Sequence, residues 1–260
     1  MRPALCAIVA GALQFAPPKL DALAIIGRSV VASESDWRAE PAYDHFERDD
    51  DGDDAKTYDI RMIEGTPYER LIAVNDRPLS ASRQREEQRQ LEQAMAARKT
   101  ESRDDRASRL DEYRKRHERV HAMFGQLTRA FDFRLTGTRR IGGRQAYVLA
   151  ATPRDDYQPP TVDARVLTGM IGEFLVDTET FHWVKVNARL TRATSIVGLL
   201  VRAEPGTSIE LEKAEVEPGI WLTSHLLVRS NSRLLFFIHH RTFEDDRYFN
   251  YRPAAATGIR

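Results

Sequence analysis

At 260 residues the chain is long enough for one all-β domain, because sandwiches and barrels often exceed about 200 residues without dividing. Its 39 basic and 39 acidic residues cancel, so no overall field attracts nucleic acid or an anionic membrane. The composition therefore argues against nucleic acid as a partner. The one cysteine, Cys6, excludes a disulfide bond within the chain and a multi-cysteine metal site.

The N-terminus has the features of a secretory signal. Met1 and Arg2 precede an apolar stretch from Ala4 to Ala16 that is too short to span a bilayer. The triplet at 22–24, Ala-Leu-Ala, fits the small-x-small pattern of a cleavage site. We therefore expect residues 1–24 to be a signal segment and the mature protein to be soluble and periplasmic. A loosely packed N-terminal segment is the alternative.

Three strands and a hairpin are predicted after this segment. Tyr43 to Arg48 and Lys56 to Glu64 flank the turn-forming acidic run 49–54, and Tyr68 to Val74 is the third strand. The acidic run lacks the spacing of oxygen ligands and the closing glutamate of a calcium-binding loop. It is therefore interpreted as a solvated turn.

A charged helical insertion, 80–127, follows. Ser80 is a suitable N-cap, and the part up to Lys99 has so few apolar residues that at most a narrow stripe is buried. A second helix starts near Ser102. Its apolar residues recur at three-four spacing and give it a face that can dock on the sheet: Leu110, Tyr113, His117, Val120, Phe124 and Leu127.

The remainder is predicted to be a series of strands, opened by Phe131, Phe133 and Leu135 on one face. The later strands are predicted at 145–151, 169–177, 181–190, 195–203, 208–216, 220–229 and 233–243, with turns at 218–219 and 230–232. Since few connections have room for a crossover helix, the sheet must be largely antiparallel. The predicted fold class is mainly β with a helical insertion (α+β): a curved antiparallel sheet or half-barrel covered by long charged helices, forming a single domain over 25–252 with a disordered tail, 253–260.

Two segments carry a resemblance to a known family. The run 143–149, Gly-Arg-Gln-Ala-Tyr-Val-Leu, closes at Thr152 and Pro153 and is followed by 172–181, Gly-Glu-Phe-Leu-Val-Asp-Thr-Glu-Thr-Phe. This order resembles the outer-membrane lipoprotein carrier superfamily, the LolA/LolB-like and sigma-factor-regulator-like periplasmic proteins, over roughly residues 40–252. The resemblance implies a half-barrel whose concave side holds acyl chains and which has no catalytic residues. The long charged insertion distinguishes this chain from the short carriers.

The apolar strand faces supply candidate ligand-binding residues. Alternating residues on these strands would line a concave cavity, whereas a closed core is the alternative fate of the same residues. The candidates are Phe174, Val176, Val184, Val186, Ile209, Leu211, Leu222, Leu226, Phe236 and Ile238.

The sharpest literal motif is the HExxH sequence at 117–121. On a helix, His117 and His121 share one face, and the glutamate between them could activate a zinc-bound water. A third protein ligand is missing from the pattern, and the neighbouring charges favour an exposed helix. His239 and His240 are adjacent in a predicted strand and therefore point to opposite faces. We accordingly expect no metal site and no cofactor.

These features give three hypotheses. The first is a non-enzymatic periplasmic protein that binds a lipid, an acyl chain or a lipoprotein in a hydrophobic concave cavity. The second is an envelope signalling or interaction module that docks a membrane protein through its charged helices. The third is a zinc metallohydrolase using His117 and His121.

Overall fold

The computed structural model describes residues 20–197, 201–234 and 238–255. Its α-helices are α1 (Ala22–Ala39), α2 (Ala81–Thr100), α3 (Arg103–Phe124) and α4 (Leu127–Ala130), and short 3-10 helices span Glu40–Ala42 and Asp163–Gly169. The strands are β1 (Tyr43–Asp50), β2 (Ala55–Ile63), β3 (Thr66–Val74), β4 (Arg77–Pro78), β5 (Phe131–Ile141), β6 (Arg144–Pro153), β7 (Met170–Asp177), β8 (Trp183–Leu190), β9 (Thr194–Val197), β10 (Val201–Ala203), β11 (Ser208–Glu217), β12 (Ile220–Leu234) and β13 (Ile238–Pro253).

The strands form one large antiparallel sheet. Their spatial order is β4-β3-β2-β1-β13-β12-β11-β8-β7-β6-β5, and the β9–β10 hairpin joins through β12. Within the described residues, β4 and β5 stand at opposite ends and do not pair with each other, so the sheet stays open. The predicted fold class is confirmed: a mainly antiparallel curved sheet with helices. None of the described helices combines the length and the apolar character needed to cross a membrane.

The acidic run at 49–54 forms the predicted hairpin turn. The Asp51 carboxylate accepts hydrogen bonds from the backbone N–H groups of Asp53 and Asp54, both at 3.0 Å. Gly52 has φ of +90°, a conformation that glycine adopts without steric strain. The turn joins β1 to β2 in antiparallel register.

The charged insertion folds as two capped helices. Ser80 and Ser102 cap α2 and α3 through their hydroxyl groups, as their positions predict. The guanidinium of Arg98 donates to the carbonyl groups of Ile63, Thr66 and Pro67, at 2.9–3.1 Å. Helix α2 therefore packs against β3, near the end of the sheet, and Leu91 is the buried residue of its narrow apolar stripe.

Two local predictions are wrong. The segment 230–232 is not a turn: it continues β12, where Ser230, Asn231 and Ser232 pair with residues of β13. The Asn231 side chain instead contacts the loop between β10 and β11, where its Nδ2 donates a hydrogen bond to the Pro205 carbonyl at 2.9 Å. The single strand predicted at 195–203 is two short strands, β9 and β10, that pair with each other.

The segments predicted for the two chain ends lie largely outside the described residues. Residues 1–19 lie outside the described residues, whereas 22–24 begin α1 and are capped by Asp21, whose carboxylate accepts from the Ala24 N–H at 2.7 Å. Cleavage after Ala24 would remove this cap. At the other end, Pro253 closes β13 and the Ala254 N–H donates to the Ala42 carbonyl at 2.8 Å, while 256–260 lie outside the described residues.

Candidate ligand-binding face

Helix α1 crosses the apolar part of the concave face of the sheet. Its inward residues, Ala22, Ile25, Ile26 and Ser29, recur at three-four spacing, as in a helix that buries one face. Ile25 is 0% exposed and Ile26 is 2% exposed. Each buried isoleucine contributes roughly 2–3 kcal/mol. The helix therefore occupies the surface that the sequence assigned to a ligand.

Most of the predicted lining residues contribute to this core. Phe174, Val176, Val186 and Leu211 are buried in the cluster that includes α1, and Ile209 and Leu226 pack against it. Leu222 is buried outside the cluster, Val184 is half-buried, Ile238 is 44% exposed, and Phe236 lies outside the described residues.

A β-bulge explains the position of Val184. The register shifts between Leu175 and Val176, so that Val176 pairs with Trp183 and Phe174 with Val186. Trp183 and Val186 consequently join the core cluster. A strict period-two pattern could not find Trp183, because the extra residue of the bulge interrupts the alternation.

An open groove of about 690 Å³ follows the outer side of α1. Helix residues Gly27, Arg28 and Val31 form one wall, and Phe181 and His182 from the β7–β8 turn help to form the other. The Arg28 guanidinium lies 4.8 Å from the centroid of the Phe181 ring. The groove is open to solvent, and Phe181 in its wall packs against the apolar core.

Two buried hydrogen-bonding groups fasten α1 to the sheet. The Asp36 carboxylate accepts from the Lys213 ammonium and from the Trp221 backbone N–H, both at 2.9 Å. Burial alone would raise the pKa of Asp36, but the contacts with His182, Lys213 and Trp221 outweigh it and hold that pKa below its usual value. Trp183 Nε1 donates to the Ser29 hydroxyl at 3.0 Å. We call the group Ser29, Asp36, Trp183 and Lys213 the α1 latch.

Several buried polar atoms of α1 and of the sheet near it have no hydrogen-bond partner among the described residues: Ser33 Oγ, Trp37 Nε1, His182 Nδ1 and Trp221 Nε1. His182 Nε2 lies 3.4 Å from Asp36 Oδ1, within ion-pair distance but without hydrogen-bond geometry. An unsatisfied buried polar group costs about 1–3 kcal/mol.

The two histidines of the HExxH sequence hold α3 against the end of α1. Both imidazoles stack on the Trp37 ring, with centroids 4.8 Å away for His117 and 4.1 Å for His121. Their Nε2 atoms face carboxylates of the first helical segment, Glu40 at 3.3 Å and Glu34 at 2.7 Å. Among the described residues, no group of three or more histidine, cysteine or acidic side chains is placed to hold a metal ion. The motif thus has a packing role in this structure.

Sequence reasoning did not identify a carboxylate patch on β1 and β13. Strand pairing sets Glu47 opposite Tyr248 and Asp49 opposite Asp246. Burial, followed by the charge of Asp246, raises the pKa of Glu47 to about 7. Burial, followed by the charge of Asp49, raises the pKa of Asp246 to about 6. Only the register of two strands far apart in the chain brings these groups together.

This patch should make the protein less stable as the pH rises. Because the Glu47 pKa is raised on folding, the carboxyl favours the folded state in its protonated form, and its penalty grows between about pH 4.5 and pH 7. We expect Glu47→Gln to increase the free energy of unfolding by about 1–2 kcal/mol at pH 8 and to leave it unchanged at pH 4.5. Urea unfolding at both pH values measures this.

Glu112→Gln is the control for the patch, since Glu112 is exposed on α3. It should follow the wild-type pH dependence. An equal effect of Glu47→Gln at both pH values would show that its charge is not responsible.

One family model and several solved structures are similar to this chain. A model of the MucB/RseB N-terminal domain matches residues 50–158, from the end of β1 through β6 and including both charged helices. No curated protein matches the chain. A solved DUF1329 family protein from Desulfovibrio piger ATCC 29098 is 12% identical, with 90% of this chain and 94% of that chain covered and a TM-score of 0.34.

Two further solved structures contain MucB. MucB in complex with MucA(peri) is 14% identical, covering 91% of this chain and 100% of that chain at a TM-score of 0.26. The Pseudomonas aeruginosa MucA/MucB complex is 14% identical, covering 88% and 99% at a TM-score of 0.24. At these TM-scores, the structural similarities carry no argument about function. The family match spans less than half of the chain, and residues 50–158 are similar to the MucB/RseB N-terminal domain.

Proposed function

We propose that this chain is a non-enzymatic, periplasmic binding protein that holds the acyl chain of a lipid or lipoprotein at its concave face. The observation that supports the proposal is the open groove of about 690 Å³ on the outer side of α1, where Phe181 in the groove wall packs against the apolar core. Burial of each methylene group contributes about 0.8 kcal/mol, so a long chain could be held without specific polar contacts. The Arg28 guanidinium is a charged group at this groove and would favour an anionic head group.

A fluorescent fatty acid, 11-(dansylamino)undecanoic acid, tests the proposal directly. Gly27 lines the groove, and a Cβ built there meets no atom within 4 Å. A tryptophan at this position would therefore fill the groove and leave the helix intact. We expect Gly27→Trp to weaken binding of the fluorescent fatty acid at least about tenfold, equivalent to about 1.4 kcal/mol.

The matched control is Leu23→Trp, at a position on the same helix that is 67% exposed. It should change the affinity less than about twofold, roughly 0.4 kcal/mol. Fluorescence titration of wild type and both variants gives the comparison. Equal affinities for Gly27→Trp and wild type would reject the groove as the binding site, and a wild-type protein that binds no fatty acid would reject the proposed function.

An interaction module that docks a membrane protein is the second candidate. It is favoured by the exposed outer faces of α2 and α3, where Arg114 and Lys115 have side chains 64% and 69% exposed. The similarity to the MucB/RseB N-terminal domain includes these helices. A docking module needs these outer faces, whereas a lipid carrier needs the groove. Failure of fatty-acid binding would favour this candidate.

A further inference from the structure

Two neighbouring hairpins end side by side at one end of the sheet. Strands β9 and β10 form the first hairpin, β12 and β13 form the second, and pairing between β10 and β12 joins them. The register places the last residues of these four strands in one apolar row: Val197, Val201, Leu234 and Ile238. We call the strand ends 195–197, 201–203, 232–234 and 238–241 the hairpin tip.

The hairpin tip projects beyond the strand that flanks β13 on its other side. That strand is β1, and its pairing with β13 ends where Asp50 lies opposite Asp245. Within the described residues, β13 has no strand on this side from Ile238 to Glu244. Ile238 is 44% exposed, so the core does not bury this member of the predicted cavity lining.

The charge of the hairpin tip differs from that of the whole chain. Basic and acidic residues are equal in number in the chain, but residues 192–203 and 229–242 contain five arginines, two histidines and no acidic residue. The row directly behind the apolar one is basic: Arg202, Arg233 and His239. One carboxylate, that of Glu204, lies near both arginines, at 3.7 and 3.8 Å. The tip therefore carries an excess of positive charge.

The acidic turn at 49–54 lies too far from the basic row to cancel this charge. Its strand β1 pairs with β13 only as far as Asp245, and His239 lies six residues further along β13. Six residues of a strand extend over about 20 Å. Because the Debye length at physiological ionic strength is about 8 Å, charges at this separation are largely screened from each other.

The sequence pattern at these hairpins is not that of strands with one face in water. Such strands alternate apolar and polar residues. Here, residues 234–238 are Leu-Leu-Phe-Phe-Ile and residues 199–201 are Leu-Leu-Val, with no polar residue in either run. Continuous apolar runs suit surroundings that are apolar on every side. The end of an exposed hairpin meets such surroundings in a lipid bilayer.

We propose that the hairpin tip docks the protein on a bilayer that contains anionic phospholipid. The apolar row enters the membrane interface, and the arginines behind it lie at the level of the lipid phosphates, where basic residues attract anionic lipid. The groove beside α1 lies elsewhere on the molecule, with walls formed by α1 and the β7–β8 turn. The inference thus goes beyond the proposed function and does not depend on it.

Co-sedimentation of the purified protein with vesicles tests the inference. Vesicles of phosphatidylcholine alone are compared with vesicles in which about a third of the lipid is phosphatidylglycerol. We expect at least about tenfold tighter binding to the anionic vesicles, and a smaller difference at high salt, because salt screens the arginines. Equal affinity for the two kinds of vesicle, or binding to neither, would overturn the inference.

Variants of the tip separate its apolar and charged contributions. Ile238→Asp should weaken binding to the anionic vesicles at least about tenfold, since a carboxylate resists burial and repels anionic lipid. Arg241→Glu, at an exposed position beside the basic row, should weaken it at least about fivefold. Ile238→Trp should bind at least as tightly as the wild type, because tryptophan favours the membrane interface. Loss of binding in Ile238→Trp would contradict the proposal.

Met95→Asp is the matched control, because Met95 is 40% exposed on α2, away from the tip. It introduces the same carboxylate at a similarly exposed apolar position and should change vesicle binding less than about twofold. The inference is overturned if Ile238→Asp binds as the wild type does, or if Met95→Asp loses as much binding as Ile238→Asp.

Gly27→Trp separates this inference from the proposed function. The variant fills the groove and should leave vesicle binding within about twofold of the wild type. Vesicle binding without fatty-acid binding would support the docking tip and reject the proposed ligand. Loss of vesicle binding in Gly27→Trp would place the lipid in the groove and reject the tip.

Discussion

Replacing Asp59 with alanine is expected to lower the free energy of unfolding by about 2–4 kcal/mol at pH 7. The side chain is 1% exposed, and the guanidinium groups of Arg61, Arg70 and Arg252 all donate to its carboxylate. Without this carboxylate, the three arginine charges would repel one another. Asp44 lies near only Arg61 and Arg252. The arginines keep 23–39% exposure, which lets water screen part of the repulsion.

The control for Asp59→Ala is Asp156→Ala. Asp156 also pairs with an arginine, Arg154 at 3.0 Å, but its side chain is 72% exposed. Exposed ion pairs contribute at most about 1 kcal/mol, so the control should unfold near the wild-type urea concentration. Equal effects of the two variants would show that burial of Asp59 does not set its contribution.

Lowering the pH should reproduce part of the loss in the free energy of unfolding that is expected for Asp59→Ala. Burial raises the pKa of Asp59, but the hydrogen bonds from its arginines outweigh burial and hold that pKa below 3.8. Its stabilisation is therefore present above about pH 4 and is lost as the pH falls through the lowered value. Glu47 and Asp246 act in the opposite direction at higher pH. Together these groups place maximal stability near pH 5.

The sequence predicted those parts of the fold that depend on local signals. Ser80 and Ser102 cap helices, and the acidic run at 49–54 turns a hairpin, because each interaction forms within a few residues. The prediction of a turn at 230–232 is wrong for a physical reason. Ser230, Asn231 and Ser232 have turn-forming side chains, but pairing with β13 on one side outweighs that preference.

The site itself depends on contacts between distant parts of the chain. The α1 latch joins Ser29 to Trp183 and Asp36 to Lys213, pairs separated by 154 and 177 residues. No local pattern specifies such partners. Asp21 followed by apolar residues at three-four spacing is a signal from which α1 itself could have been found. The cleavage site predicted at 22–24 from the composition just before it stays a prediction.

Phe174→Ala decides whether the predicted lining residues form a filled core or a hollow one. Phe174 is 4% exposed, and its ring meets Phe133 and Trp183 edge-on, at centroid distances of 5.5 Å and 5.6 Å. In a filled core, its truncation removes these contacts and leaves a cavity, so we expect a loss of about 3–5 kcal/mol in the free energy of unfolding. Urea unfolding of the ligand-free protein measures the loss.

Ile238→Ala is the matched control, since Ile238 comes from the same predicted set but is 44% exposed. Its truncation should cost less than about 0.5 kcal/mol. A loss below about 1.5 kcal/mol for Phe174→Ala would be smaller than the free energy gained by burying a phenyl ring completely. It would therefore mean that the ring borders an empty space and not packed atoms. A full loss would mean that Phe174 belongs to a packed core, so that an acyl chain would be held on the outer side of α1 and not against this ring.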